Sequence, residues 1–292
     1  MFNQIVNRTR EITPLIHNIT NYVSANACAN ITLACGASPI MAEDIGEVEE
    51  VTALAAALVI NTGMMTESKR SAMLAAGKCA NELGHPVILD PVGMGVSMFR
   101  TDAIRSILRE VRVQVIRGNN SEIRRLADSC GIKDAELSSA LSHSEVNITS
   151  QKGVDVSFLD EITEDRLEKS IMIAKKLAIS SGAIIVATGA IDIITDGVWV
   201  SLIRNGSAML KQVSGSGCML SSLIGAYCGA NPNMCYEACV AAVGAMGLCG
   251  ESAYERMLYR QEGSASLLIY LLDYMSQLDG DRLMEGIKLE AR

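Results

Sequence analysis

Ser214-Gly215-Ser216-Gly217-Cys218 sets two glycines, two residues apart, just before a thiol, and an apolar run from Met219 to Ala226 follows at once. The glycines let the backbone turn tightly and approach a ligand with no side chain between. The apolar run reads as a buried helix, so the turn aims free amide N–H groups and the positive end of a helix dipole at one point. An anion, or a charge that develops during a reaction, would settle there. Cys218 stands at that point, and the same dipole is expected to lower its thiol pKa. Other residues suit the same chemistry. Asp90 precedes Pro91, Arg117 opens Arg117-Gly118-Asn119-Asn120-Ser121-Glu122, Asn61 opens Asn61-Thr62-Gly63, and Thr188 precedes Gly189. Two carboxylates with room for water suit Mg²⁺, and a guanidinium suits a phosphate. Together they describe phosphoryl transfer, where catalysis is positioning and charge neutralisation. No G-x-x-x-x-G-K-[ST], protein-kinase Gly-rich loop or H-R-D motif accompanies them.

These residues need elements that hold them together. Leu58-Val59-Ile60, Val87-Ile88-Leu89, Gln114-Val115-Ile116 and Ile184-Ile185-Val186 read as short buried strands, each ending at one of the polar turns above. Helical patterns over Glu67–Leu83, Asp102–Val111 and Glu122–Cys130 separate the first three, which predicts a parallel sheet with right-handed crossovers. Residues 191–195 and 199–203 flank Asp196-Gly197, the signature of an antiparallel hairpin at the sheet edge. A helix at Asn3–Glu11 stops before Pro14, and the polar stretch Leu15–Asn21 leads into an Ala-rich helix ending near Gly36. Helices from Cys218, from Met234 to Arg260 and from Ser264 to Lys288 close the chain. The expected fold is one α/β domain over residues 1–292, an open, mostly parallel sheet with helices on both faces. In such sheets the ligand lies beyond the carboxyl ends of the strands, where Asn61, Asp90, Arg117, Glu122 and Thr188 fall.

Ordinary structural roles compete for several of these residues. Asp90 before a proline could serve a turn, and Asn119-x-x-Glu122 is a capping box. His17 reads as a hydrogen-bonded structural histidine, and Met41 as packing. Two other function classes also fit. Cys218 could be the nucleophile of a hydrolase or acyl transferase with His17 as its base, or the scaffold could bind a ligand without turning it over.

The 292 residues carry a net charge of −8 and only 4% aromatics, with no basic block longer than two residues, which argues against a nucleic-acid surface. At 49% hydrophobic the chain can bury a large core. Residues 1–10 hold Arg8 and Arg10 without an apolar run, so no signal peptide is expected. The uncharged stretch Cys218–Tyr236 is broken by serines and Asn231-Pro232-Asn233, against a membrane span. Nine cysteines, odd in number and without C-x-x-C, point to a reducing cytoplasm.

Six motifs in order then carry a resemblance over nearly the whole chain. They are His17–Val23, Gly36–Met41, Asn61–Gly63, Asp90–Gly93, Arg117–Glu122 and Ser214–Cys218. The chain resembles the hydroxyethylthiazole kinases, thiamine-salvage enzymes of the ribokinase-like group. That resemblance implies ATP-dependent phosphorylation of the primary alcohol of 4-methyl-5-(2-hydroxyethyl)thiazole, or of another small hydroxylated heterocycle. It also implies Mg²⁺ and a homotrimer with sites between subunits. By the same resemblance Met41, Gly215 and Asn21 would contact the thiazole, Arg117 and Thr188 the ATP, and Asp90 and Glu122 the metal. Cys218 would be the catalytic residue, where most ribokinase-like enzymes place an aspartate base. Asn120, Met94, Ser214 and Ala190 depart from the residues usual in this family, and Ile132–Glu161 matches little of it and reads as a surface excursion.

Overall fold

The computed structural model describes residues 2–132, 162 and 164–292. The expectation for the excursion after Ile132 falls on residues 133–161, outside the described residues. Among the described residues nine strands form one sheet in the order β2-β1-β3-β4-β5-β6-β7-β8-β9. They are β1 (Leu15–Ile19), β2 (Ser38–Ile40), β3 (Ala57–Asn61), β4 (Val87–Asp90), β5 (Val115–Asn119), β6 (Ile184–Thr188), β7 (Asp192–Thr195), β8 (Val200–Ile203) and β9 (Leu289–Ala291). Pairings from β2 through β6 are parallel, and those from β6 to β9 are antiparallel. The first strand lies between β2 and β3, so the chain reverses its direction of travel across the sheet at β1/β3. That reversal opens a crevice at the carboxyl ends of the strands.

Strand alternation decides which side chains share that crevice, because successive residues point to opposite faces. Ile16, Val59, Ile88, Val115 and Val186 pack on one face against Leu223, Ile224 and Tyr227 of the Ser216–Ala230 helix, together with the Cys235–Arg260 and Ser264–Gln277 helices. Leu58, Ile60, Leu89, Ile116 and Ile185 pack on the other, under the Glu67–Leu83, Met98–Glu110 and Leu167–Ser181 helices. Counting on by twos, Asn18, Asn61, Asp90, Arg117 and Thr188 all fall on the Ser216–Ala230 side. His17 falls on the opposite side.

The expected helices at Asn3–Glu11 and Glu67–Leu83 are present, at Phe2–Ile12 and Glu67–Leu83. The hairpin is present as β7 and β8, turning at Gly197, whose φ of +97° suits glycine. Two regions differ from the sequence reading. Leu15–Ile19 is a strand flanked by partners on both sides, although its polar residues concealed it; His17 and Asn18 are buried and hydrogen-bonded. The last expected helix breaks after Gln277, because the Asp279 side chain accepts from the Arg282 amide and caps a new helix, Gly280–Gly286. The residues beyond become β9, added outside the hairpin.

The Ser216–Ala230 helix lies unusually close to the sheet at Gly225, where a Cβ would meet Val59 Cγ2 at 2.5 Å. Alanine would gain about 1 kcal/mol of helix propensity there but lose about 1–3 kcal/mol to overpacking against a central strand. Gly225→Ala should therefore lower the denaturant midpoint. An unchanged or raised midpoint would show that this close approach is not a constraint on the fold.

Candidate active site

Asp90 is the centre of the crevice. It ends β4, is completely buried, and its Oδ2 accepts from Ser221 Oγ at 2.7 Å and from Asn61 Nδ2 at 3.0 Å. Arg117 Nη1 lies 3.7 Å from the same oxygen. Among the described residues no backbone amide binds the carboxylate, so the turn role open in the sequence is not the one it performs there. Oδ1 is buried without a partner and free to take a further ligand. Burial pushes the Asp90 pKa up, while the Arg117 charge and the Ser221 and Asn61 hydrogen bonds oppose that rise.

Asn61 joins Asp90 to the rest. Its Oδ1 accepts from the Gly63 amide at 2.9 Å and from Asn21 Nδ2 at 3.0 Å, and this fixes which way the amide faces. Nδ2 then donates to Asp90 and also to Cys218 Sγ at 3.2 Å. Asn21 Nδ2 reaches the same sulfur at 3.7 Å, and Asn21 Oδ1 accepts from the Ser24 amide. Cys218 thus receives two amide donors at the start of the helix that Gly215 introduces with φ +78°. A Cβ at Gly215 would lie 2.7 Å from Ser24 Cβ, so the turn admits only glycine.

The thiol departs from the expectation of a lowered pKa. Burial, then the Asp90 carboxylate, push Cys218 up to about 11, although Ser24 and Arg117 pull the other way. A helix N-terminus contributes a fraction of a charge, and here it competes with desolvation and a whole negative charge nearby. Cys218 is a neutral thiol at physiological pH. His17 cannot act as its base. The ring faces the other side of the sheet, with Nδ1 2.9 Å from Thr52 Oγ1 and Nε2 2.9 Å from the Ala42 carbonyl. Burial lowers its pKa, so it is a neutral structural residue. Among the described residues the nucleophilic-cysteine reading therefore loses the base expected for it.

Arg117 is only 8% exposed, and its guanidinium fills the space beside Gly217, where a Cβ would meet Nη1 at 2.5 Å. Nη2 donates to Thr188 Oγ1 at 2.8 Å, and Nε is buried without a partner. The guanidinium therefore sits between the Thr188 hydroxyl, the Asp90 carboxylate and the first turn of the Ser216–Ala230 helix. Glu122 completes a capping box: Oε2 accepts from the Asn119 amide, Asn119 Oδ1 accepts from the Glu122 amide, and Oε1 accepts from Gly93. Burial and then the Asp90 charge raise its pKa. Glu122 therefore caps the helix, as the capping-box reading expected, while the Asp90 charge acts on the same carboxyl group. Among the described residues no three His, Cys, Asp or Glu side chains converge to form a cage. A cation here would rest on this carboxylate pair, water and a ligand's phosphates, an arrangement that suits Mg²⁺.

Met41 directly follows β2 and is 38% exposed. Ser221 was given no role in the site by the sequence reading, although its place three residues after Cys218 on a helix was a usable signal. Lys69 was also missed: its Nζ donates to the Thr20 carbonyl, and nothing in an amphipathic helix pattern marks it.

The fold is ribokinase-like: a ribokinase-like superfamily protein from Enterococcus faecalis superposes with a TM-score of 0.55 at 14% identity, covering 90% of this chain and 86% of that one. A hydroxyethylthiazole kinase structure from Pyrococcus horikoshii superposes with a TM-score of 0.83 at 32% identity, over 100% of this chain and 98% of that one. The hydroxyethylthiazole kinase of Clostridium acetobutylicum is 45% identical over 291 residues, the whole of both chains. The profile of the hydroxyethylthiazole kinase family matches residues 6–281. The chain belongs to that family.

The thiol's state is directly measurable. Alkylation of Cys218, followed by peptide mapping, should accelerate about tenfold per pH unit from pH 7 to 10 without levelling off. Asp90→Asn removes the second cause of the raised pKa and should speed labelling at pH 8.5 by about three- to tenfold. A plateau below pH 8 in the unaltered protein would contradict the assignment of a neutral thiol.

Proposed function

We propose that the chain transfers the γ-phosphoryl group of ATP to the primary alcohol of 4-methyl-5-(2-hydroxyethyl)thiazole, a step of thiamine salvage. The observation that carries this reading is the packing of Arg117 between Asp90, Thr188 and the glycine turn that opens the Ser216–Ala230 helix. In this reading Arg117 and Thr188 hold the ATP phosphates, while Met41, Asn21 and Gly215 bound the thiazole. Asp90 and Glu122 would hold Mg²⁺, and the unpartnered Asp90 Oδ1 fits that role. The ion would screen the phosphate charges as they come together.

The protein groups then supply fixed positive potential where charge develops. Arg117 is preorganised, and so are the free amides at the helix start, which need no reorientation during transfer. A neutral thiol at Cys218 cannot draw the proton from the alcohol beforehand. A loose transition state tolerates this, since the nucleophile loses its proton late. Cys218 then acts chiefly by shape and position, held by Asn61 and Asn21 where the hydroxyl must approach.

The reading extends to a cytoplasmic homotrimer with sites between subunits. Tyr22 and Val23 at 70% exposure and Ile45 at 58% are apolar surface in the segments that follow β1 and β2, which a neighbouring subunit would cover. All nine cysteines are free, as in a reducing compartment. Among the described residues no helix is long and apolar enough to cross a membrane.

With ATP and Mg²⁺, the thiazole alcohol should release ADP in equal measure to phosphorylated product. The dimethyl analogue lacking the hydroxyl should release none, and EDTA should stop the reaction. ADP release that is indifferent to the alcohol would contradict the proposal, as would clear preference for a different hydroxylated heterocycle.

A further inference from the structure

Lys69 occupies a place that its residue type disfavours. It lies in the first turn of the Glu67–Leu83 helix, the positive end of the dipole, where acidic residues are preferred. It is also only 4% exposed, and lysine is rarely buried unless paired. Its Nζ donates to the Thr20 carbonyl at 3.1 Å and lies 2.7 Å from Glu43 Oε2. The same ammonium stands 4.5 Å from the centre of the Tyr22 ring, and the Tyr22 hydroxyl donates to Glu43 Oε1 at 2.7 Å. A carbonyl, a carboxylate and a ring face thus surround the charge.

The partners come from two separate loops. Thr20 and Tyr22 flank Asn21, in the loop leaving β1, whereas Glu43 is two residues beyond Met41, in the loop leaving β2. The helix that carries Lys69 follows β3, which ends at Asn61. One buried cation therefore ties together the ends of three adjacent strands at the open side of the crevice. An isolated salt bridge at the surface would contribute little, but here the ammonium itself is buried, although the Glu43 side chain is partly exposed, and it is shared with a carbonyl and a ring face.

We propose that Lys69 is a positioning residue that sets the separation of Asn21 from Met41, and with it the fit of the alcohol substrate. The proposal rests on the thiazole-kinase reading for its substrate. Lys69 touches neither the nucleotide site nor Asp90, so its effect belongs to the alcohol and not to ATP. Loosening the Asn21 loop also removes one of the two donors from Cys218, which gives a readout independent of any substrate.

The test compares Lys69→Met, which keeps the stem and removes the charge, with Lys69→Arg and the milder Tyr22→Phe. Lys69→Met should raise KM for the thiazole alcohol about tenfold or more while KM for ATP stays within about twofold. Lys69→Arg should recover most of the loss, and Tyr22→Phe should raise the alcohol KM by about two- to threefold. N-ethylmaleimide labelling of Cys218 at pH 8.5 should be faster in Lys69→Met and near the original rate in Lys69→Arg. Equal rises in both KM values overturn the proposal, as does an unchanged alcohol KM in all three variants. If the unaltered protein fails to phosphorylate the alcohol, the functional reading falls, and the labelling then decides: unaltered Cys218 labelling in Lys69→Met overturns the clamp. Should Lys69→Met not fold, the Tyr22→Phe alcohol KM decides alone, with no rise counting against the proposal.

Discussion

The hydrogen bond from Asn61 Nδ2 to Asp90 Oδ2 holds the crevice together. A carboxylate with no exposure is costly unless its oxygens are satisfied, and it cannot rely on Arg117 alone at 3.7 Å. Asn61 and Ser221 supply the near donors, and Asn61 can do so only because the Gly63 amide holds its carbonyl end. That single orientation also fixes the donor to Cys218 and the acceptor for Asn21. One backbone amide in the turn after β3 thereby determines the polar geometry of three strand ends and the helix that faces them.

The same network explains why the thiol is quiet. Burial holds the Cys218 pKa up, and Asn61, by keeping the sulfur beside Asp90, adds the carboxylate to that effect. Removing the Asp90 charge would ease the thiol pKa, but it would also remove what organises Arg117 and, in the proposed function, the cation. In the proposed function this site assembles phosphate charge. A nucleophilic thiolate is at odds with it.

Much of this could be read in the sequence because alternation along a strand is rigid. Val59 to Asn61, Ile88 to Asp90 and Val115 to Arg117 are steps of two from a core residue, and so the polar residues share a face with their apolar predecessors. Local motifs located the turns and the capping box at Asn119 and Glu122 for similar reasons. What escaped depended on tertiary context. Leu15–Ile19 conceals a strand because the partners of His17 and Asn18 come from Thr52, Ala42 and Ser222, distant in sequence. The thiol pKa turned on burial, which a local pattern does not reveal, and Lys69 became visible only when Thr20 and Glu43 were placed around it.

The central claim is that charge positioned around Asp90 carries the reaction and that Cys218 contributes mainly by its place. Turnover of Cys218→Ala compared with Asp90→Asn, with ATP, Mg²⁺ and the thiazole alcohol, tests it most directly. The account predicts that Cys218→Ala loses about a hundredfold or less, the low end for a proton-transfer group, and that Asp90→Asn loses more. Abolished turnover in a folded, nucleotide-binding Cys218→Ala, with Asp90→Asn the less impaired of the two, would contradict it.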